Sequence, residues 1–117
     1  LPAIPLISAS PAIINVYKNE GKWREPFEGV SIKKLYRDPN TKYTTCLYKL
    51  EPGAYLPSHI HTGSEQCFIV TGDFVINGVT YLEGDFTVAL DKSSHLNLQS
   101  NTGATLLIIS PPEVELI

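Results

Sequence analysis

The segment GAYLPSHIHTGSEQCFIVTG, residues 53–72, holds two of the chain's three histidines, one residue apart, and a carboxylate four residues after the second. His59, His61 and Glu65 sit among Ile, Val, Phe and Tyr, residues that favour strands. On a strand, residues i and i+2 share a face. His59 and His61 are therefore expected to point the same way, with α-carbons roughly 7 Å apart, a spacing at which two imidazoles can converge on one ion. Thr62-Gly63-Ser64 reads as a turn. Glu65 then opens the next strand and reaches the histidines if the two strands pair.

The third histidine, His95, lies about thirty residues on, in SSHLNLQS. Strict alternation puts His95, Asn97 and Gln99 on one side and Leu96 and Leu98 on the other. A polar inner side makes sense if the interior is a wet cavity that holds a metal. Leu56, Ile60, Phe68 and Val70 then lie on faces opposite the ligand set. They need cover from a second layer, a partner subunit or an N-terminal arm, which points to a homodimer. Three neutral imidazoles and a carboxylate suit a first-row transition ion. The competing reading, hydrogen-bonded or surface polar residues, is disfavoured because every histidine falls into one set. Parity nominates Cys46, Tyr48, Cys67, Asn97 and Gln99 as cavity lining. Cys46 and Cys67 are placed facing each other on neighbouring strands, read as inert buried thiols before reactive ones. Tyr48 reads as a core aromatic with a bonded hydroxyl, and Trp23 as a packing residue.

Around this stretch, turn signals recur at short intervals, among them Asp38-Pro39-Asn40, Thr71-Gly72-Asp73, Asn77-Gly78 and Glu83-Gly84-Asp85. Short segments rich in Val, Ile, Thr, Tyr and Phe lie between them, the pattern of an all-β sandwich or barrel. Asn77-Gly78 predicts a two-residue hairpin, because both of its turn positions want positive φ. Helical periodicity is absent beyond residue 20; Ser10-Pro11 is the one place where a short helical turn is expected. Residues 1–22 carry three prolines with Ile4, Leu6, Ile7, Ile13, Ile14 and Val16. They read as a short apolar arm that packs on the barrel or on a partner, with residues 23–117 as a single domain.

The 117 residues are enough for a core without disulfides. Charged residues make up 18% and the net charge is -3, with no basic cluster. Nucleic acid is excluded as a partner, since phosphate binding needs a basic footprint. No apolar run approaches the roughly 20 residues that span a bilayer. The N-terminus lacks the positive region of a signal peptide, and two cysteines are too few for a secreted scaffold, so a cytoplasmic location is expected. With no methionine anywhere, the sequence is expected to lack its initiator.

The spacing Gly53, His59, His61, Glu65, Gly72 resembles the first motif of the cupin superfamily at every position. Gly84 and His95 match the second motif, in which Leu90, Lys92 and Gln99 replace the usual Pro, Gly and Asn. Trp23, PFEGVSIKKLY, LEPGAYLPSHIHTGSEQCFIVTGDF and YLEGDF are similar to the ChrR-like cupins. That group includes the anti-sigma factor cupin domain and is related to the acetylacetone-cleaving dioxygenase. The resemblance implies a small all-β jelly-roll barrel with His59, His61, Glu65 and His95 around one divalent metal. Fe(II) is favoured, with Zn, Mn and Ni as alternatives.

By the same resemblance, the leading expectation is a non-haem dioxygenase that cleaves a C–C bond in a small diketone or hydroxyketone. Its metal would sit on three histidines. Glu65 would be a fourth ligand, or an outer carboxylate that orients a histidine or takes a proton. The alternative is a non-catalytic, metal-bound regulatory or ligand-binding module of the anti-sigma cupin-domain type. With no His before His59, a preceding zinc domain that grips a sigma factor is not expected.

Overall fold

The computed structural model describes residues 12–112 and 114–116, with side chains undescribed at 61 and 114–116. The expected helical turn at Ser10-Pro11 lies outside the described residues. Those that are described form strands and turns with no helix: β1 (Trp23–Phe27), β2 (Val30–Arg37), β3 (Thr44–Leu50), β4 (Tyr55–Leu56), β5 (His59–His61), β6 (Glu65–Ile76), β7 (Val79–Leu82), β8 (Phe86–Ala89), β9 (Ser94–His95), β10 (Leu98–Gln99), β11 (Ala104–Ser110) and β12 (Val114–Leu116). The larger sheet runs β1-β2-β3-β11-β6-β10-β4, with β7 and β8 also on β6; the smaller runs β12-β5-β9. Every pairing is antiparallel. The two sheets make the nearly closed, all-β barrel expected of a cupin.

Long β6 joins the two halves of the barrel. Its first part pairs with β11 and β8, its end with β7 and β10. The turn expected at Thr71-Gly72-Asp73 is a bulge within this strand. The register against β11 slips between Ile69 and Thr71, and Gly72 takes φ +82°. Any side chain at Gly72 would collide with the Gly103 carbonyl, since a Cβ there would lie 1.9 Å from it. One inserted residue flips the alternation. Cys67 and Ile69 are buried before the bulge, Phe74 and Ile76 after it. The bulge also buries Asp73, whose carboxylate accepts hydrogen bonds from the Ser100 and Thr102 hydroxyls and the Asn101 and Thr102 amides. This clasp fixes the loop between β10 and β11.

The Asn77-Gly78 hairpin forms as expected, with φ of 51° and 81°. Val30, Ile32, Leu50, Ile69, Leu98, Leu106 and Ile108 fill the core between the sheets. In the arm, Ile13 is 80% exposed. The described part of the arm is held where the buried Lys33 ammonium donates to the carbonyls of Tyr17 and Lys18, at 3.4 and 3.2 Å. Trp23 is part-exposed on β1 with the Lys49 ammonium 5.0 Å from its ring centre, a cation–π contact.

Candidate metal centre

His59 and His95 are direct cross-strand partners on β5 and β9. Opposed residues of an antiparallel pair project from the same face, so both imidazoles enter the barrel. Their ring centres are 5.1 Å apart and nearly edge to face. Glu65 arrives from the first residue of β6, in the other sheet. The expectation that Glu65 reaches the histidines by strand pairing is therefore corrected: β5 pairs with β9 and β12, not with β6. Ligand atoms of His59, Glu65 and His95 all lie within 4.8 Å of one another. Donors on one transition ion sit about 3–4 Å apart, so modest side-chain rotation closes this triad on an ion. Glu65 Oε1 lies 4.0 Å from His95 Nδ1. The backbone of His61 lies on β5, opposite Val114; its side chain is outside the described residues.

The tautomer of His59 follows from one contact. Nδ1 lies 3.0 Å from the Pro57 carbonyl, which can only accept, so Nδ1 carries the proton of that bond and Nε2 is the nitrogen left for an ion. A ring nitrogen bonded to a carbonyl in this way is the usual support for a metal-bound histidine. His95 is supported through its backbone. Asn77 accepts from the Leu96 amide at 2.6 Å and donates to the Ser94 carbonyl at 3.0 Å. The Asn77 amide donates to the Leu96 carbonyl at 3.0 Å. The hairpin turn thus grips the chain on both sides of a ligand, a role that its turn signature concealed.

The triad sits on the wall of a cavity of about 370 Å³. Tyr48 and Cys67 line it, as parity placed them. Burial pushes the Tyr48 phenol well above its ordinary pKa, helped by the nearby Cys46, Glu65 and Cys67, so it stays a neutral donor. Burial, with Glu65 adding to it, raises the Cys67 thiol to about 12. Cys46 is buried and its thiol is also raised, chiefly by burial, but it is not on the cavity wall. Cys46 and Cys67 are not on neighbouring strands: both pair with Ile108, one from each side of β11. Two strand spacings, roughly 9–10 Å, exceed the reach of a disulfide, and both thiols are free.

The placing of Asn97 and Gln99 is corrected. Asn97 takes φ 55°, which breaks the strand into β9 and β10 and inverts the alternation. Leu98 turns inward, 1% exposed, and lines the cavity, while Asn97 is exposed. Gln99 is off the cavity wall and donates to Asn101. Leu56, expected on the outer face, lines the cavity. Lys92, where the cupin motif carries Gly, adopts φ 68°. The turn geometry that favours glycine is thus present without the glycine.

The family model of the ChrR cupin-like domain matches residues 12–112. The chain belongs to the ChrR cupin-like family. Among solved structures, this family member is similar to the acetylacetone dioxygenase of Acinetobacter johnsonii, with TM-score 0.80 and 14% identity, covering 100% of this chain and 85% of that one. It is similar to an RmlC-like cupin of Ralstonia eutropha JMP134, with TM-score 0.77 and 21% identity over 95% and 74% of the two chains. The anti-sigma factor ChrR, seen in complex with SigE of Rhodobacter sphaeroides, gives TM-score 0.68 and 20% identity over 80% and 51%. At these identities the likeness is one of fold. No curated protein sequence matches the chain significantly. No helix among the described residues is long and apolar enough to cross a membrane.

Proposed function

We propose that this cupin is a metal-dependent dioxygenase that cleaves a C–C bond in a small diketone or hydroxyketone, with Fe(II) as the metal. The observation that carries this reading is the convergence of His59, Glu65 and His95 on the wall of a cavity of small-molecule size. The likeness to an acetylacetone dioxygenase supports it. The ion would be held by His59, His95 and Glu65, with His61 as the further ligand that the cupin motif expects. When bound, it supplies Lewis acidity toward a chelating dicarbonyl and a site for oxygen chemistry.

The protein's own contribution is shape and proton placement. Ile32, Leu98 and Ile108 give the cavity part of its hydrocarbon wall. Tyr48 presents an un-ionised phenol to it. A carboxylate at Glu65 either completes the ligand set or accepts a proton from the bound dicarbonyl; its closeness to His95 suits both.

The non-catalytic, ligand-binding alternative draws support from the likeness to the anti-sigma factor ChrR. Oxygen uptake separates the two readings. Protein loaded anaerobically with Fe(II) and then mixed with acetylacetone and air consumes oxygen with the diketone if it is a dioxygenase. A metal-loaded protein that binds diketones without consuming oxygen is the regulatory module. We also propose a homodimer, because Phe68, Val70, Phe86 and Val88 form an exposed apolar patch on the outside of β6 and β8.

A further inference from the structure

One cation faces the cavity. Arg24 lies on β1 directly opposite Ile32 of β2, and Ile32 lies opposite Tyr48 of β3. Opposed residues share a face. Ile32 and Tyr48 both line the cavity, so the row Arg24–Ile32–Tyr48 runs along its inner wall, and Arg24 lines it too. Among the described residues Arg24 is the only lysine or arginine on that wall. Its charge favours the ionised forms of the Tyr48 phenol and the Cys46 thiol, so its field reaches inward. Among the described residues no carboxylate pairs with it. Glu65, the one acid on the wall among the described residues, lies beside His95.

We propose that the cavity binds a small organic carboxylate, its carboxylate gripped by the Arg24 guanidinium and its other end directed at the His59–Glu65–His95 cluster. The inference rests on the reading of this cavity as a ligand chamber and narrows its substrate class from neutral dicarbonyls to anionic ones. A guanidinium fork matches the two oxygens of a carboxylate, and it is less hydrated than an ammonium, which suits a part-apolar mouth. A phosphate would bring a second negative charge to a wall with a single cation and an acid, so the carboxylate is the better fit. The Tyr48 phenol, on the same row and held neutral by burial, can donate to a polar group between the two ends.

The test uses two probes of nearly equal size: succinylacetone, a β-diketone with a propionate tail, and its neutral primary amide. Titration calorimetry is run anaerobically on Fe(II)-loaded protein and on metal-free protein. Wild type is expected to bind the acid at least about tenfold more tightly than the amide. Arg24→Gln is expected to lose that preference by weakening the acid alone, and Arg24→Lys to keep part of it. Arg37→Gln, at the exposed end of β2 and not on the cavity wall, should change neither affinity. Equal wild-type affinity for both probes, no binding of either, or an Arg24→Gln loss shared by acid and amide would overturn the proposal. Failure to take up Fe(II) is read separately. It defeats the metal reading alone, because Arg24-dependent preference for the acid is then scored on the metal-free protein.

Discussion

Asn77 and Leu96 hold each other by two hydrogen bonds. The Leu96 amide donates to Asn77 Oδ1 at 2.6 Å, and the Asn77 amide donates to the Leu96 carbonyl at 3.0 Å. Leu96 follows His95, so the β6–β7 turn fixes the position of a candidate ligand from outside the cavity. Asn77→Gly keeps the positive φ that the turn requires and removes only the side-chain grip. We expect the variant to fold with an unchanged far-ultraviolet circular dichroism spectrum and to bind metal about tenfold more weakly, the usual effect of losing an outer support. Competitive chelator titration reads the affinity. Equal affinity would mean that His95 is placed without Asn77.

Lys92 holds φ 68° in the turn in which the Ser93 amide bonds to the Leu90 carbonyl at 3.0 Å. The left-handed region costs a non-glycine residue roughly 1–2 kcal/mol, part of it recovered in the greater unfolded-state freedom of glycine. Lys92→Gly is therefore expected to stabilise the fold by about 0.5–1 kcal/mol, a rise of roughly 2–5 °C in Tm. Thermal melts at matched metal loading check this.

Asp73 is buried and has two opposed influences on its carboxyl. Desolvation raises its pKa, but the hydrogen bonds from Thr102, Asn101 and Ser100 outweigh it and leave the group below the ordinary carboxylate value. A depressed folded pKa gives stability that is full above the unfolded value near 4 and lost as pH falls through the lower folded value. Asp73→Ala should cost about 2–3 kcal/mol at neutral pH, because it strands buried donors. Its stability should also fall less than the wild type's between about pH 5 and about pH 2. Denaturant midpoints across that range measure both effects.

Much of this was legible in the sequence. Paired histidines, a carboxylate at the right spacing and the Asn77-Gly78 turn pointed to the barrel, and three of the four nominated ligands are brought together. Local parity misplaced Leu56 and Cys46 as well, but two of its failures have a plain cause, one residue that leaves the extended conformation. The bulge between Ile69 and Thr71, followed by Gly72 at positive φ, turned an expected loop into mid-strand and hid the Asp73 clasp. Positive φ at Asn97 exchanged Leu98 for Asn97 and Gln99 at the cavity. Arg24 went unnoticed because its importance comes from the β1–β2 register, which no local pattern in WREPF reveals.

The outer patch of β6 and β8 brings Phe68 opposite Phe86, both exposed. If a second copy covers it, sedimentation should show a dimer at micromolar concentration. Phe86→Glu, which places a charge on the patch, should give a monomer with unchanged metal affinity. A wild-type monomer under these conditions would contradict the proposed homodimer.

The proposed function stands on a metal held by His59, Glu65 and His95. Elemental mass spectrometry of untagged protein purified without added metal, beside His95→Ala prepared identically, reads that metal. Iron is expected at close to one per wild-type chain and should be lost from the variant. A folded, β-rich wild type with no bound metal, even after anaerobic addition of Fe(II), would contradict it.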